Sequence, residues 1–181
     1  MFFEEENYEL NGRTVTLRAP QPEDAEILIE YLKTVCDETP YLSQYGDEVK
    51  ITVEDEIKFI ERRNESETGY LILVFEDGEF AGNMSFERVG TSRRAKHRAS
   101  IGIAFFQKNT GHGLGRLALT RLLELIKEAG YEQAELTVLE GNERAKHLYE
   151  SLGFKEIGRI PKANKYDDGT YRDDILMTNP L

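Results

Sequence analysis

The most constraining stretch of the chain is Gly111-His112-Gly113-Leu114-Gly115, set between a strand pattern and a long amphipathic helix pattern. Residues 97–106 read as a strand, and Leu114, Leu117, Ala118, Leu122, Leu125, Ile126 and Ala129 recur at helical spacing. A strand that turns through glycines into a helix leaves the first backbone N–H groups free. The helix dipole adds about half a positive charge there. Glycine lets the backbone take positive φ and come close to an anion. Arg116 falls in the first helical turn, where its guanidinium can add a charged fork to a phosphate. The segment is a candidate pyrophosphate cradle, although a tight turn with purely steric glycines has the same spacing.

Two familiar nucleotide loops can be compared with it. A phosphate-binding loop of the Gly-Lys-Ser/Thr type is not met, because Gly115-Arg116-Leu117 stands in that place. A dinucleotide fingerprint counted from Gly113 ends on Ala118, a permitted substitute, and Glu140 ends the next strand, where a ribose-binding acid belongs. A Rossmann-type oxidoreductase therefore stays open. Against it, the unit follows an antiparallel meander and no second mononucleotide half comes after it.

The rest of the chain supplies that context. Residues 13–19 alternate as a half-buried strand, ended by Pro20 and Pro22. Pro22-Glu23-Asp24 opens a helix carrying Ile27, Leu28, Tyr31, Leu32 and Val35. Residues 39–50 are polar and irregular. Thr52 caps a second helix, with Asp55 at the capping-box position. Strands at 70–75 and 79–87 flank the hairpin turn Asp77-Gly78. After the glycine-rich helix come a strand at 134–139, a helix from Asn142 to a stop at Gly153, and closing strands at 154–160 and 171–177. The expected fold is α/β (α+β): one domain over 1–181, with a mixed, largely antiparallel sheet of six to seven strands and helices on both faces.

Composition narrows the function. A net charge of −11 argues against general nucleic-acid binding, Arg93, Arg94, Lys96, His97 and Arg98 being a local exception. No apolar run approaches the ~20 residues of a membrane span. The acidic stretch 1–10 lacks the pattern of a signal peptide. The single cysteine, Cys36, fits a reducing compartment and a buried position in a helix. A cytoplasmic enzyme is expected.

Two motifs together resemble the GNAT superfamily of acetyl-CoA-dependent N-acetyltransferases. Residues 101–117, from Ile101-Gly102-Ile103 through the glycine loop, look like the family's strand and pyrophosphate loop, R/Q-x-x-G-x-G/A, with Thr110 in the first position. Asn142-Glu143-Arg144-Ala145-Lys146-His147-Leu148-Tyr149-Glu150-Ser151-Leu152-Gly153-Phe154 matches N-x-x-A-x-x-L-Y-x-x-x-G-F, the more specific of the two. The order of elements agrees over about 13–177. The segment 168–177 resembles a bacterial subgroup that includes relatives of ribosomal-protein N-terminal acetyltransferases.

The resemblance implies direct acetyl transfer from acetyl-CoA to an amine, with no metal and no covalent enzyme intermediate. It implies a cofactor site at Phe105, Thr110, Gly111, His112, Gly113, Leu114, Gly115, Arg116 and Asn142, the pantetheine arm running beside the strand that ends near Phe105. It assigns Tyr149 as proton donor to the leaving thiolate, although a tyrosine on that stripe is also ordinary core. An amine of pKa ~10.4 must lose a proton to attack; Glu87 and His97, at strand ends, are candidate bases, as is water. The partner implied is an amine, either a small molecule or a protein N-terminus or lysine, and a homodimer is left open. Glu38, Asp47 and Glu48 are acids that could meet a cationic acceptor. A non-catalytic acetyl-CoA sensor is the other alternative.

Overall fold

A computed structural model describes residues 3–181; Met1 and Phe2, the start of the acidic N-terminal stretch, lie outside them. The elements run β1 (Glu6–Leu10), β2 (Arg13–Arg18), α1 (Ala25–Glu38), α2 (Val53–Glu65), β3 (Gly69–Glu76), β4 (Glu79–Arg88), β5 (Arg98–Phe105), α3 (Leu114–Glu128), β6 (Gln133–Leu139), α4 (Glu143–Ser151), β7 (Lys155–Lys165) and β8 (Tyr171–Pro180). The eight strands among the described residues form one sheet in the order β1-β2-β3-β4-β5-β6-β8-β7, one strand more than the upper expectation.

The helix starts follow from local chemistry. Pro22–Asp24 forms a single 3-10 turn that feeds α1. Thr52 caps α2, its hydroxyl oxygen accepting from the Asp55 N–H at 3.2 Å and donating to the Asp55 carboxylate at 2.7 Å. The β3 run Leu71-Ile72-Leu73-Val74 is buried on both sides, because helices cover both faces of the sheet. Leu73 packs with α1 and α2 through Ala25, Leu28, Tyr31, Val35 and Ile60. Ile72 and Val74 face the other layer, where α3 inserts Leu114, Ala118, Leu119, Leu122 and Ile126. Each such apolar side chain contributes roughly 1.5–3 kcal/mol when fully buried.

One ladder sets the function. Every neighbouring pair is antiparallel except β5 and β6, and their parallel pairing covers only Arg98–Ser100 against Gln133–Glu135. β5 stays paired with β4 to Phe105, and β6 with β8 to Leu139. Beyond Ser100 the two central strands therefore diverge, and the sheet opens into a V. A dinucleotide fold needs a continuous parallel sheet; a single short parallel ladder removes the Rossmann-type reading.

Candidate active site

The V holds a cleft of about 690 Å³, within the range of small-molecule sites (~300–1,000 Å³). One wall is the edge of β5 from Ile101 to Phe105, which lacks a strand partner on that side. The opposite wall is β6 from Leu136 to Leu139 and the inner face of α4, with Asn142, Ala145, Leu148 and Tyr149. Thr110, Gly111, Gly113, Gly115 and Arg116 close one end, where α3 begins.

The glycine turn has the geometry its composition demands. Gly111 and Gly113 take φ of +95° and +104°, a region that side chains disfavour. Gly113 is the residue preceding α3, so the unpaired N–H groups of the first helical turn open towards the cleft. Two guanidiniums stand beside them. Arg116 Nη2 donates to Ser151 Oγ at 2.8 Å, and Arg144 Nη1 donates to Thr110 Oγ1 at 2.9 Å. Free amides, a helix N-terminus and two cations fit a pyrophosphate.

His112 and Leu114 stand apart from the other loop residues. The His112 imidazole turns behind the loop to Glu76, Nε2 to Oε1 at 2.7 Å. The Leu114 side chain is fully buried in the core. Only the backbone of these two can face an anion. Asn142 caps α4, its Oδ1 accepting from the Ala145 N–H at 3.2 Å, and its position also puts it on the cleft wall.

Tyr149 is buried, edge-on to Phe154 with ring centroids 5.8 Å apart, and it lines the cleft. Its hydroxyl has no hydrogen-bond partner among the described residues, and burial alone pushes its pKa up to about 12. It keeps its proton at any working pH.

The two candidate bases lie elsewhere. Glu87 pairs across β4 and β5 with Ser100, at the closed end of the V, and its carboxylate forms an ion pair with Arg63. His97 precedes β5 at the same end, its carbonyl accepting from Glu132 and Gln133 N–H groups. Among the described residues no carboxylate or imidazole lines the cleft.

A second cavity of about 530 Å³ lies beside the first and shares Thr39 and Leu42 with it. Glu38 and Glu48 line it, together with Asp37 and Lys165, whereas Asp47 does not. The segment 39–48 is tied over this cavity: Tyr166 Oη donates to the Pro40 carbonyl at 2.6 Å, and the Asp167 N–H donates to Tyr45 Oη at 2.9 Å. Sequence reasoning passed over Arg144, which sits at a variable position of the second motif, and Asn109, which precedes the loop. Tyr41, from the polar 39–50 segment, also reaches the cleft.

An open V in a mixed sheet, with an anion cradle at one end, is the frame of a GNAT acyltransferase. Residues 14–155 match the family described as Acetyltransferase (GNAT) domain, and the chain belongs to it. It is 25% identical over 123 residues to the L-amino acid N-acyltransferase MnaT of Escherichia coli strain K12, a match covering 67% of this chain and 70% of that protein. A GNAT-family acetyltransferase from Streptococcus pneumoniae superposes with a TM-score of 0.85 at 27% identity, over 92% of this chain and 99% of that one. The fold of YncA from Salmonella typhimurium, a putative acetyltransferase solved with acetyl-CoA, agrees with a TM-score of 0.80 at 19% identity, over 92% and 94% of the two chains.

Proposed function

We propose that this acyltransferase moves an acetyl group from acetyl-CoA to a primary amine by direct attack within a ternary complex. The observation that carries the reading is the open edge of β5. Residues 101–105 offer backbone donors and acceptors to an extended ligand arm, as an added strand would use them. The arm would end beside Tyr149, and its phosphates would lie on Thr110, Gly111, Gly113, Arg116 and Arg144. When bound, acetyl-CoA supplies a thioester, whose carbonyl is the electrophile.

The protein's own part is positional and acid–base. The cleft holds thioester and amine together, which replaces a bimolecular encounter. Backbone N–H groups on the β5 edge polarise the carbonyl. Tyr149, protonated and unpartnered, donates to the sulfur as the C–S bond breaks. The amine's proton goes to water, since no carboxylate or imidazole among the described residues lines the cleft and Glu87 and His97 lie at its closed end. The acceptor enters from the side of the second cavity, where Thr39 and Leu42 join the two spaces.

The test is direct. Calorimetry with acetyl-CoA, followed by a panel of amino acids, polyamines and peptides with free thiol release as the readout, should give binding and then transfer to at least one amine. Binding without transfer to any amine would favour the sensor; no binding of acetyl-CoA would reject the reading.

A further inference from the structure

Behind the glycine loop sits a charged group that the transfer chemistry does not use. Glu76, the last residue of β3, has a side chain only 4% exposed. An isolated carboxylate in such a place is costly. Here it collects three donors: His112 Nε2 at 2.7 Å, Asn109 Nδ2 at 2.9 Å and Arg13 Nη1 at 3.2 Å. Burial by itself would raise its pKa; the hydrogen bonds from Asn109, His112 and Arg13 outweigh burial and hold it below the ordinary carboxylate range.

Two of those donors bracket the cradle. Asn109 stands before Thr110 and Gly111, and His112 stands between the two glycines of positive φ. One carboxylate thus spans the back of the loop while Thr110, Gly111 and Gly113 face the cleft. Because Asn109 Nδ2 is committed to a carboxylate, the orientation of its amide is fixed, and Oδ1 is buried without a partner. Asn11, in the β1–β2 turn, adds a further tie, Nδ2 to the His112 carbonyl at 2.8 Å.

A loop of glycines has many conformations to lose on gripping an anion. We propose that Glu76 is a positioning residue, whose carboxylate clamps Asn109 and His112 and so holds the glycine loop in its pyrophosphate-binding shape before ligand arrives. The proposal rests on the acetyl-CoA reading. Its physical logic is preorganisation: the ordering cost is met during folding instead of during binding. A buried anion close to a polyanion site would otherwise be a disadvantage, and Arg13 offsets its charge on the side away from the cleft lining.

The experiment compares wild type with Glu76→Ala and His112→Ala, by calorimetry with CoA and with 3′-phospho-ADP, which carries the pyrophosphate without the pantetheine arm. Wild type should bind both. Glu76→Ala should weaken both at least tenfold, and His112→Ala by three- to tenfold in a protein that is still folded at the assay temperature. The double variant should lose no more than Glu76→Ala alone, since both remove one clamp. The ratio of turnover with acetyl-CoA to turnover with acetyl-pantetheine, which has no pyrophosphate, should fall in step. If Glu76→Ala does not fold, His112→Ala and Asn109→Ala decide the matter. Wild-type affinity for CoA in the folded variants overturns the proposal alone, as does an equal fall with both acetyl donors, which marks a merely structural role. A wild-type protein that binds no CoA overturns the acetyl-CoA reading beneath it.

Discussion

Replacing Tyr149 with phenylalanine separates packing from chemistry, because the ring that meets Phe154 is kept and only the hydroxyl goes. Burial pushes the Tyr149 phenol up to about 12, so it is protonated and still a much stronger acid than the water that would replace it. A positioned general acid contributes roughly 10²–10⁴-fold, so kcat should fall about 10²-fold. That corresponds to ~2.7 kcal/mol of barrier. Stability should not fall, since the hydroxyl has no partner to lose; the melting temperature should stay within about 2 °C of wild type or rise. The Michaelis constant for acetyl-CoA should hardly move, because the lost interaction belongs to the transition state. Tyrosine is neutral when protonated, so a raised pKa extends the protonated form upward, and no alkaline loss from Tyr149 is expected below pH ~11. Steady-state rates across pH 6–10, with an acceptor for which chemistry limits turnover, supply the measurement. Unchanged kcat in Tyr149→Phe would return the residue to the core and leave the sulfur's proton to solvent.

Much of this fold is legible in the sequence, because its elements announce themselves locally. Pro22, Thr52, Gly130 and Gly153 mark helix ends, and the alternations mark strands. β1 escaped notice: its glutamates obscured the period-two pattern of Tyr8 and Leu10, even though Asn11-Gly12, with φ of +53° and +78°, is a strong hairpin turn. The candidate site divides differently. Gly111, Gly113 and Gly115 line the cleft because local backbone geometry places a glycine turn whatever the surroundings; Tyr149, which the family resemblance singled out, lines it because helix periodicity sets which face of α4 meets the sheet. Glu87 and His97 were chosen as strand ends, and that argument needs to know which end of the sheet opens. The answer depends on β5 and β6 parting after Ser100, a long-range event with no local signature. Glu76, Asn109 and His112 are separated by up to 36 positions and meet only once β3 lies behind the loop. Sequence periodicity assigns faces to a helix or strand, but not the partner across a fold.

The remaining outcomes concern the cofactor cleft. Acetyl-CoA at 100 times its Kd should stabilise the protein by about 2.7 kcal/mol, seen as a melting shift of ~5–11 °C, with no shift from NAD; equal shifts would count against the assignment. Gly113→Asp places a side chain at φ +104°, its Cβ directed at Leu10 on β1; left-handed strain of ~1–2 kcal/mol in the turn should weaken acetyl-CoA by about tenfold by calorimetry. Arg116→Ala and Arg144→Ala should each cost at most roughly 1.5–3 kcal/mol of that binding, less at high salt, and a salt-independent loss would assign them to packing. Gly115 makes the sharpest case, because binding should there fall with side-chain size while the fold is kept. It sits in the first turn of α3 without positive φ, so glycine is not required by the backbone. Glycine is in fact worse than alanine in a helix by up to ~1 kcal/mol. What keeps the position small is space: an added Cβ would stand 3.3 Å from Leu148 Cδ2 and 3.9 Å from Phe105 Cε2, where α3, α4 and the end of β5 converge on the cleft. The Leu148 end can yield by a few tenths of an ångström, so Gly115→Ala should keep stability within about 1 kcal/mol of wild type and still bind. Gly115→Leu adds a branched side chain where the Cβ already points at Leu148 and Phe105, both of which line the cleft. It should fold, show wild-type circular dichroism, and bind acetyl-CoA at least tenfold more weakly. A Gly115→Leu protein that binds with wild-type affinity would mean that the donor does not pass this turn, and the path along β5 to Tyr149 would have to be redrawn.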